Sequence, residues 1–313
     1  MAELSTTVGS LTLPTPVLTA SGCAAAGREL AGFVDLRRIG GVVTKSIMVE
    51  PRAGRPTPRM VETPSGMLNS IGLQGPGIEA FLADDLPWLL EAGTRAVVSI
   101  AGGSTAEYAA LARRLAQAWD DGLRPCAVEV NISCPNVANR GLVFACDPVA
   151  SAQAVAAVKA NLPSDVPMWV KLSPDVTDLV AIAHAAVDSG ADALCLVNTT
   201  LGMAIDHTTL QPILGGITGG LSGPAIRPIA VRCVYQVAAA IPSIPIVGIG
   251  GVRSGRDALE LLAAGASAVQ VGTSIFGDPS APVRVGAELS AALDEIGVSS
   301  VSDAVGAAHG RAR

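Results

Sequence analysis

Eight short runs rich in β-branched residues recur along the chain: Val17–Gly22, Gly41–Ser46, Ala96–Gly102, Ala127–Cys134, Met168–Ser173, Ala193–Thr199, Pro245–Gly251 and Ala268–Ser274. Each is nearly all apolar rather than alternating, the pattern of a strand covered on both faces. Helical periodicity fills the intervals. Ser104-Thr-Ala-Glu107 reads as a capping box ahead of Leu111, Leu115 and Trp119 at four-residue spacing. Asp147–Ala160, Thr177–Ser189 (closed by Gly190), Pro224–Ala240 and a segment N-capped by Ser254 and ended at Gly265 follow the same logic. This alternation predicts an α/β fold, a (β/α)8 TIM barrel spanning residues 1–313 as one domain. Thr7–Val17 adds a hairpin around Gly9–Ser10, placed as a lid on the barrel bottom. An open doubly wound sheet would carry a GxGxxG turn, but Arg253 follows Gly248 and Gly250 where the third glycine belongs.

Three connections are too long for tight turns: Ile47–Gly77, Pro135–Asp147 and Thr200–Gly223. All follow the C-terminal ends of strands, the face on which such barrels place their chemistry.

Composition narrows the function classes. Half of the residues are hydrophobic and only 3% aromatic, so the core is built from many small contacts. A net charge of −6 without a basic run argues against nucleic acid as a partner. The first ten residues, MAELSTTVGS, have neither a basic nor an apolar signal region, and His184, Asp188 and Asp192 interrupt the longest apolar stretch. Neither a signal peptide nor a membrane span is expected. The six cysteines are dispersed with no CxxC pair, which argues against a disulfide scaffold and against a zinc or iron–sulfur site built by this chain alone. No metal site is expected, and the reducing cytoplasm is the expected setting.

The polar residues at the strand ends carry the candidate chemistry. AVEVNISCPN, residues 127–136, is a strand that delivers Asn131, Ser133 and Cys134 to its end before Pro135 stops the ladder. Read alone, it is a capped strand end with a small apolar Cys as readily as a catalytic one. The other strands contribute Ser21, Lys45, Ser46, Ser99, Lys171, Ser173, Asn198 and Thr199. Gly250 with Gly251, and Gly272 with Thr273, end the last two strands and lead toward the helix capped by Ser254. That is the arrangement of a phosphate cradle, although glycines also simply permit turns. Lys45 and Lys171 lie within apolar runs, and an inward ammonium needs an anion; a Schiff-base lysine is the rival reading. The asparagines offer donors and acceptors suited to a planar ring of alternating C=O and N–H groups. A thiol at Cys134 near ammonium groups can exchange a proton near neutral pH.

A run of motifs in fixed order gives these residues a family. The motifs are TASG (19–22), TKS (44–46), NSIGLQGPG (69–77), NISCPNV (131–137), VKLSP, VNTTLGMAID, GGLSGPAIRP, GIGG and VGTS. In these the chain resembles the FMN-containing catalytic subunits of dihydroorotate dehydrogenases from the first strand to the last helix.

The resemblance implies oxidation of (S)-dihydroorotate to orotate in pyrimidine biosynthesis, with Cys134 as the base and Lys45 beside it. A cysteine at 134 points to the soluble class 1 branch rather than the quinone-using one. FMN would be contacted by Ser21, Lys45, Ser46, Asn131, Lys171, Val197, Gly223, Gly250, Gly251, Gly272 and Thr273. Dihydroorotate or orotate would be held by Lys45, Asn69, Ser70, Ile71, Gly72, Leu73, Asn131, Asn198 and Thr199. VNTTLGMAID and GGLSGPAIRPIA are similar to the NAD-linked type. There a homodimer of catalytic chains forms a heterotetramer with an electron-transfer subunit carrying FAD and an iron–sulfur cluster. A fumarate-linked oxidase and a flavin barrel acting on another dihydropyrimidine are the alternatives. Ser99 stands where the family has Asn, which predicts contact with FMN only through water. His184 is expected on the surface, His207 in a shaping loop and His309 in a mobile tail; Cys23 is expected to serve packing.

Overall fold

The computed structural model describes residues 2–133 and 146–310. Strands β1 (Thr6–Val8) and β2 (Leu11–Leu13) form the N-terminal hairpin, and β3 (Val17–Thr19) and β4 (Val42–Val43) begin a parallel sheet. An excursion supplies β5 (Met60–Thr63) and β6 (Gly66–Asn69). The sheet resumes with β7 (Ala96–Ile100), β8 (Ala127–Asn131), β9 (Met168–Leu172) and β10 (Ala193–Leu196). A second excursion carries β11 (Thr200–Met203), β12 (Ile205–Asp206), β13 (Gln211–Pro212) and β14 (Thr218–Ser222), before β15 (Ile246–Ile249) and β16 (Ala268–Val271) finish the sheet.

The eight parallel strands run in the order β3-β16-β15-β10-β9-β8-β7-β4. Leu18 bridges Gly41 across the remaining seam, where Gly40 N donates to Val17 O at 2.7 Å and Thr19 N to Gly41 O at 3.2 Å. The TIM barrel read from the apolar runs is therefore present, with each strand shorter than its run.

Alternation along these strands divides the core in two. Leu18, Val43, Val97, Ala127, Trp169, Cys195, Val247 and Ala268 fill the barrel interior, joined from below by Val8 and Leu13 of the hairpin. Val42, Val98, Val128, Val170, Leu194 and Val269 face outward against helix residues such as Leu111, Val155, Ile182, Val234 and Leu261. The hairpin is the bottom lid that its sequence predicts, tied by Thr6 Oγ1 donating to Ser267 O at 2.8 Å.

Helix ends follow the capping chemistry with small departures. Ser104 caps the helix Thr105–Asp120, but Glu107 reaches back to Gly103 N at 2.8 Å rather than to Ser104 N. The helix Leu179–Asp188 starts later than Thr177 because Asp178 is its cap. Ser254 and Asp257 complete a capping box on the helix Gly255–Ala263.

Two features depart from the sequence reading. The long connections 47–77 and 200–223 are not independent loops: they pair as an antiparallel sheet, β11-β14-β6-β5, with Asn69 opposite Gly220. His309 is not in a mobile tail. Its ring stacks on Tyr235 with centroids 4.1 Å apart, and Nε2 lies 2.9 Å from Ala264 O. His184 is exposed, as expected, and His207 is exposed too.

Candidate active site

Strand β8 sets the site. Its two-residue period sends Glu129 and Asn131 to the same side, and Ser133 follows just beyond its end. All three are buried, Glu129 completely. In the neighbouring strand β9, Lys171 stands opposite Asn131 and is also buried.

The polar side chains form one connected chain of hydrogen bonds. Asn198 Nδ2 donates to Ser133 Oγ at 2.7 Å, and Ser133 Oγ donates to Asn131 Oδ1 at 2.7 Å. Asn131 Nδ2 donates to Ser46 Oγ at 3.0 Å, Ser46 Oγ lies 2.9 Å from Ser99 Oγ, and Ser99 Oγ donates to Glu129 Oε1 at 3.0 Å. Ser21 Oγ joins at 3.3 Å from Ser46 Oγ. Glu129 also accepts from Gln270 Nε2 at 2.9 Å and pairs with Lys171 Nζ at 3.9 Å. Ser21, Ser46, Asn131, Lys171 and Asn198, picked from five different strand ends, are thus brought together.

Lys45 reaches the end of β3: a Cβ placed on Gly22 would lie 4.0 Å from its Nζ. Next to Gly22, burial pushes the Cys23 thiol up to about 11, against the pull of the Lys171 and Lys45 ammonium groups. Both cations therefore act on one spot at the barrel mouth, while Cys23 is held neutral, as expected of a packing residue. A cavity of about 380 Å³ opens beside Lys45, lined also by Thr44, Arg52, Gln74, Gly75 and Asp85.

Gly250 and Gly251 sit at the end of β15 against the helix Arg227–Ala240, where a Cβ on Gly251 would come 2.5 Å from Arg227 Cβ. Gly223 lies beside Thr273, whose Oγ1 donates to Ser222 Oγ at 2.8 Å, and Gly272 packs on Ala20 and Cys23. The helix Gly255–Ala263 does not aim open donors here. Arg253 N and Ser254 N donate to Asp257, and Gly255 N donates to Glu288. The backbone donors at this helix start are thus taken by the carboxylate of Asp257 and by Glu288 of the helix Ala281–Glu295, and an anion there would have to displace them.

Of the remaining predicted residues, Asn69 lies on the sheet over the mouth and Ser70 to Leu73 follow directly after it. Asn69 Nδ2 donates to Gly220 O at 3.3 Å, and a Cβ on Gly220 would overlap Thr199 Oγ1, so β6 and β14 carry Asn69 toward Thr199. Thr199 N donates to Asn198 Oδ1 at 2.9 Å. Ser70 is buried near Arg55, Ile71 O accepts from Arg55 N at 3.1 Å, and Gly72 and Leu73 continue along that stretch. Val197 is buried, its N–H donating to Ile249 O at 2.9 Å. Cys134 lies outside the described residues, as does the connection at 135–145.

Ser99 is fully buried between Ser46 and Glu129, so its hydroxyl serves the barrel interior. Glu129 and Gln270 are the residues that sequence reasoning missed. Glu129 was findable, because it lies two residues before Asn131 on the same side of the strand.

Comparison with known proteins identifies relatives of the whole chain. The profile of the family "Dihydroorotate dehydrogenase" matches residues 3–293. Proteins named "Dihydroorotate dehydrogenase B (NAD(+)), catalytic subunit" from Pelobacter propionicus and Citrifermentans bemidjiense are 51% and 50% identical to the chain. In each case the match covers 97% of this chain and 98% of the relative. The protein of the same name from Geobacter sp. strain M21 is 49% identical over 306 residues.

Proposed function

Given that the chain belongs to the dihydroorotate dehydrogenase family, we propose that it oxidises (S)-dihydroorotate to orotate in pyrimidine biosynthesis, with FMN bound at the barrel mouth. The observation that carries this reading is the connected set of Asn198, Ser133, Asn131 and Ser46 beside the buried Lys171. It offers amide, hydroxyl and ammonium groups at the open end of a parallel barrel, which suits a flat, anionic, hydrogen-bonding ligand.

These residues fit FMN. Ser21, Ser46, Asn131 and Lys171 would face the ring, Lys171 placing positive charge where reduction adds electron density. Val197 closes the packed side. Gly223, Gly250, Gly251, Gly272 and Thr273 would admit the phosphate where side chains would obstruct it. When bound, FMN supplies the acceptor for the hydride leaving C6 of dihydroorotate.

The chain does the rest. Lys45, Asn131, Asn198 and Thr199 hold the substrate's carboxylate, carbonyl and N–H groups, and Asn69 to Leu73 bring the covering sheet over it. Cys134 takes the C5 proton as general base. Lys45 keeps the substrate's negative charge in place while that proton leaves. Enclosure by the sheet excludes water from the reacting carbons.

Electrons then leave the chain. The relatives are named as NAD(+)-linked catalytic subunits. We place this chain accordingly in a heterotetramer, two catalytic chains with two FAD and iron–sulfur subunits. Exposed Leu201, Met203, Ile205, Leu210 and Ile217 on the second excursion support self-association of the catalytic chains. No helix among the described residues is long and apolar enough to cross a membrane; the cytoplasm is the proposed location.

Anaerobic titration of the isolated chain tests the reading. Dihydroorotate should bleach the flavin band stoichiometrically, dihydrouracil should not, and Cys134→Ser should keep FMN while losing most of the reduction rate. Added NAD should reoxidise the flavin only with the partner present. A flavin left oxidised by dihydroorotate would sink the proposal.

A further inference from the structure

Glu129 is a buried carboxylate in the barrel interior that the reaction described above does not use. It is fully enclosed, yet it accepts from Ser99 Oγ at 3.0 Å and Gln270 Nε2 at 2.9 Å, and lies 3.9 Å from Lys171 Nζ. A buried carboxylate persists as an ion only with such partners.

Its ionisation fixes every proton above it. An ionised carboxylate accepts only, so Ser99 must donate to Glu129. Ser99 has one hydrogen, so Ser46 must donate to Ser99. Ser46 is then left as an acceptor, and takes the N–H of Asn131 Nδ2 and the hydroxyl of Ser21. This turns the NH2 end of the Asn131 amide inward and leaves Oδ1 toward Ser133 and Asn198. The orientation of an amide at the mouth is thus set by a charge lying below it. The same charge also partly neutralises Lys171.

We infer that Glu129 is a positioning residue that lowers the reduction potential of the bound flavin by partly neutralising Lys171 and fixes the Asn131 amide through Ser99 and Ser46. The inference rests on the flavin reading given under the proposed function.

The test is the flavin potential of the FMN-loaded chain, measured spectroelectrochemically in three variants together with thermal denaturation. Glu129→Gln keeps shape and removes charge, and Gln270 can turn its unpaired Oε1 to accept from the new amide. It should raise the potential, with binding of reduced flavin strengthened about tenfold relative to oxidised flavin, equivalent to ~30 mV for a two-electron couple. Glu129→Asp keeps the charge and should return most of the native value. Gln270→Leu disturbs the same packing without touching charge and should hold that ratio within about twofold of native. An unmoved potential in Glu129→Gln, or an equal shift in Gln270→Leu, overturns the assignment. Should Glu129→Gln fail to fold, Ser99→Ala reads the chain from its middle. The potential should hold while orotate affinity falls about tenfold, and unchanged affinity overturns the inference. A native chain that takes up no flavin overturns the flavin reading itself.

Discussion

Asn131 and Lys171 stand opposite each other in the ladder between β8 and β9, yet their side chains lead to different partners: Asn131 to Ser46 at 3.0 Å, Lys171 to Glu129 at 3.9 Å. One register position thus joins the amide chain of the mouth to the ion pair beneath it. Removing either side chain should therefore be felt in both places.

The ion pair gives the first prediction. Lys171→Met strands a fully buried carboxylate and should cost about 3–5 kcal/mol of stability. Adding Glu129→Gln removes the stranded charge and should recover most of that loss. Urea midpoints of the two single variants and the double variant give the coupling directly. A double variant no more stable than Lys171→Met would show that the pair does not matter to folding.

Gly220 supplies the second. A methyl group there would overlap Thr199 Oγ1 and come 2.7 Å from Thr199 Cβ. Gly220→Ala should push Thr199 aside, weakening orotate by roughly tenfold to a hundredfold for one or two lost hydrogen bonds. FMN content should stay native. Orotate titration followed in the flavin spectrum measures both.

At Gly251 the constraint is also conformational. Its φ is 76°, and a Cβ would lie 2.5 Å from Arg227 Cβ and 3.0 Å from Arg227 Cα. Gly251→Ala should cost about 1–3 kcal/mol of strain and release the cofactor. The flavin-to-protein absorbance ratio after gel filtration should fall well below that of the native chain.

Alkaline stability is the fourth. Burial raises the Cys23 thiol from 9.0 to about 11. The folded chain therefore keeps a proton that the unfolded chain releases between those values, and stability falls as pH rises through that window. Below about pH 9 the contribution is fully present. Cys126, pushed up to about 12, acts in the same direction. Denaturant midpoints compared across this window should decline, and Cys23→Ser should decline less.

The barrel was legible because strands covered on both faces leave unbroken apolar runs, and Val97–Ile100 or Val128–Val130 can hardly be anything else. Lys171 was legible for the same reason, as a cation inside such a run. The covering sheet was not. Met60–Thr63 and Thr218–Ser222 are half-exposed, short and in one case glycine-rich, and what makes them strands is each other. Glu129 was visible two residues from Asn131, but its partners lie on three other strands, and only the register shows that Ser99, Lys171 and Gln270 meet it. Ser99 looked like a weakened ligand contact because its strand-end position was read without that neighbour. A lone terminal turn has no periodicity, so His309 reads as part of a tail; Tyr235, far back in the chain, holds it.

The pairing of β6 with β14 also bears on synthesis. Asn69 and Gly220 are 151 residues apart, and ribosomes add roughly 5–20 residues per second. The hairpin of β5 and β6 must therefore wait, roughly 8–30 s at that rate, for the strand that completes its sheet. During that interval its edge is open to other chains. The cover of the mouth can pair only once β14 is made, and β15 and β16 follow later still, so a product that stops before β14 has neither a complete barrel nor a covered mouth in which to enclose a substrate.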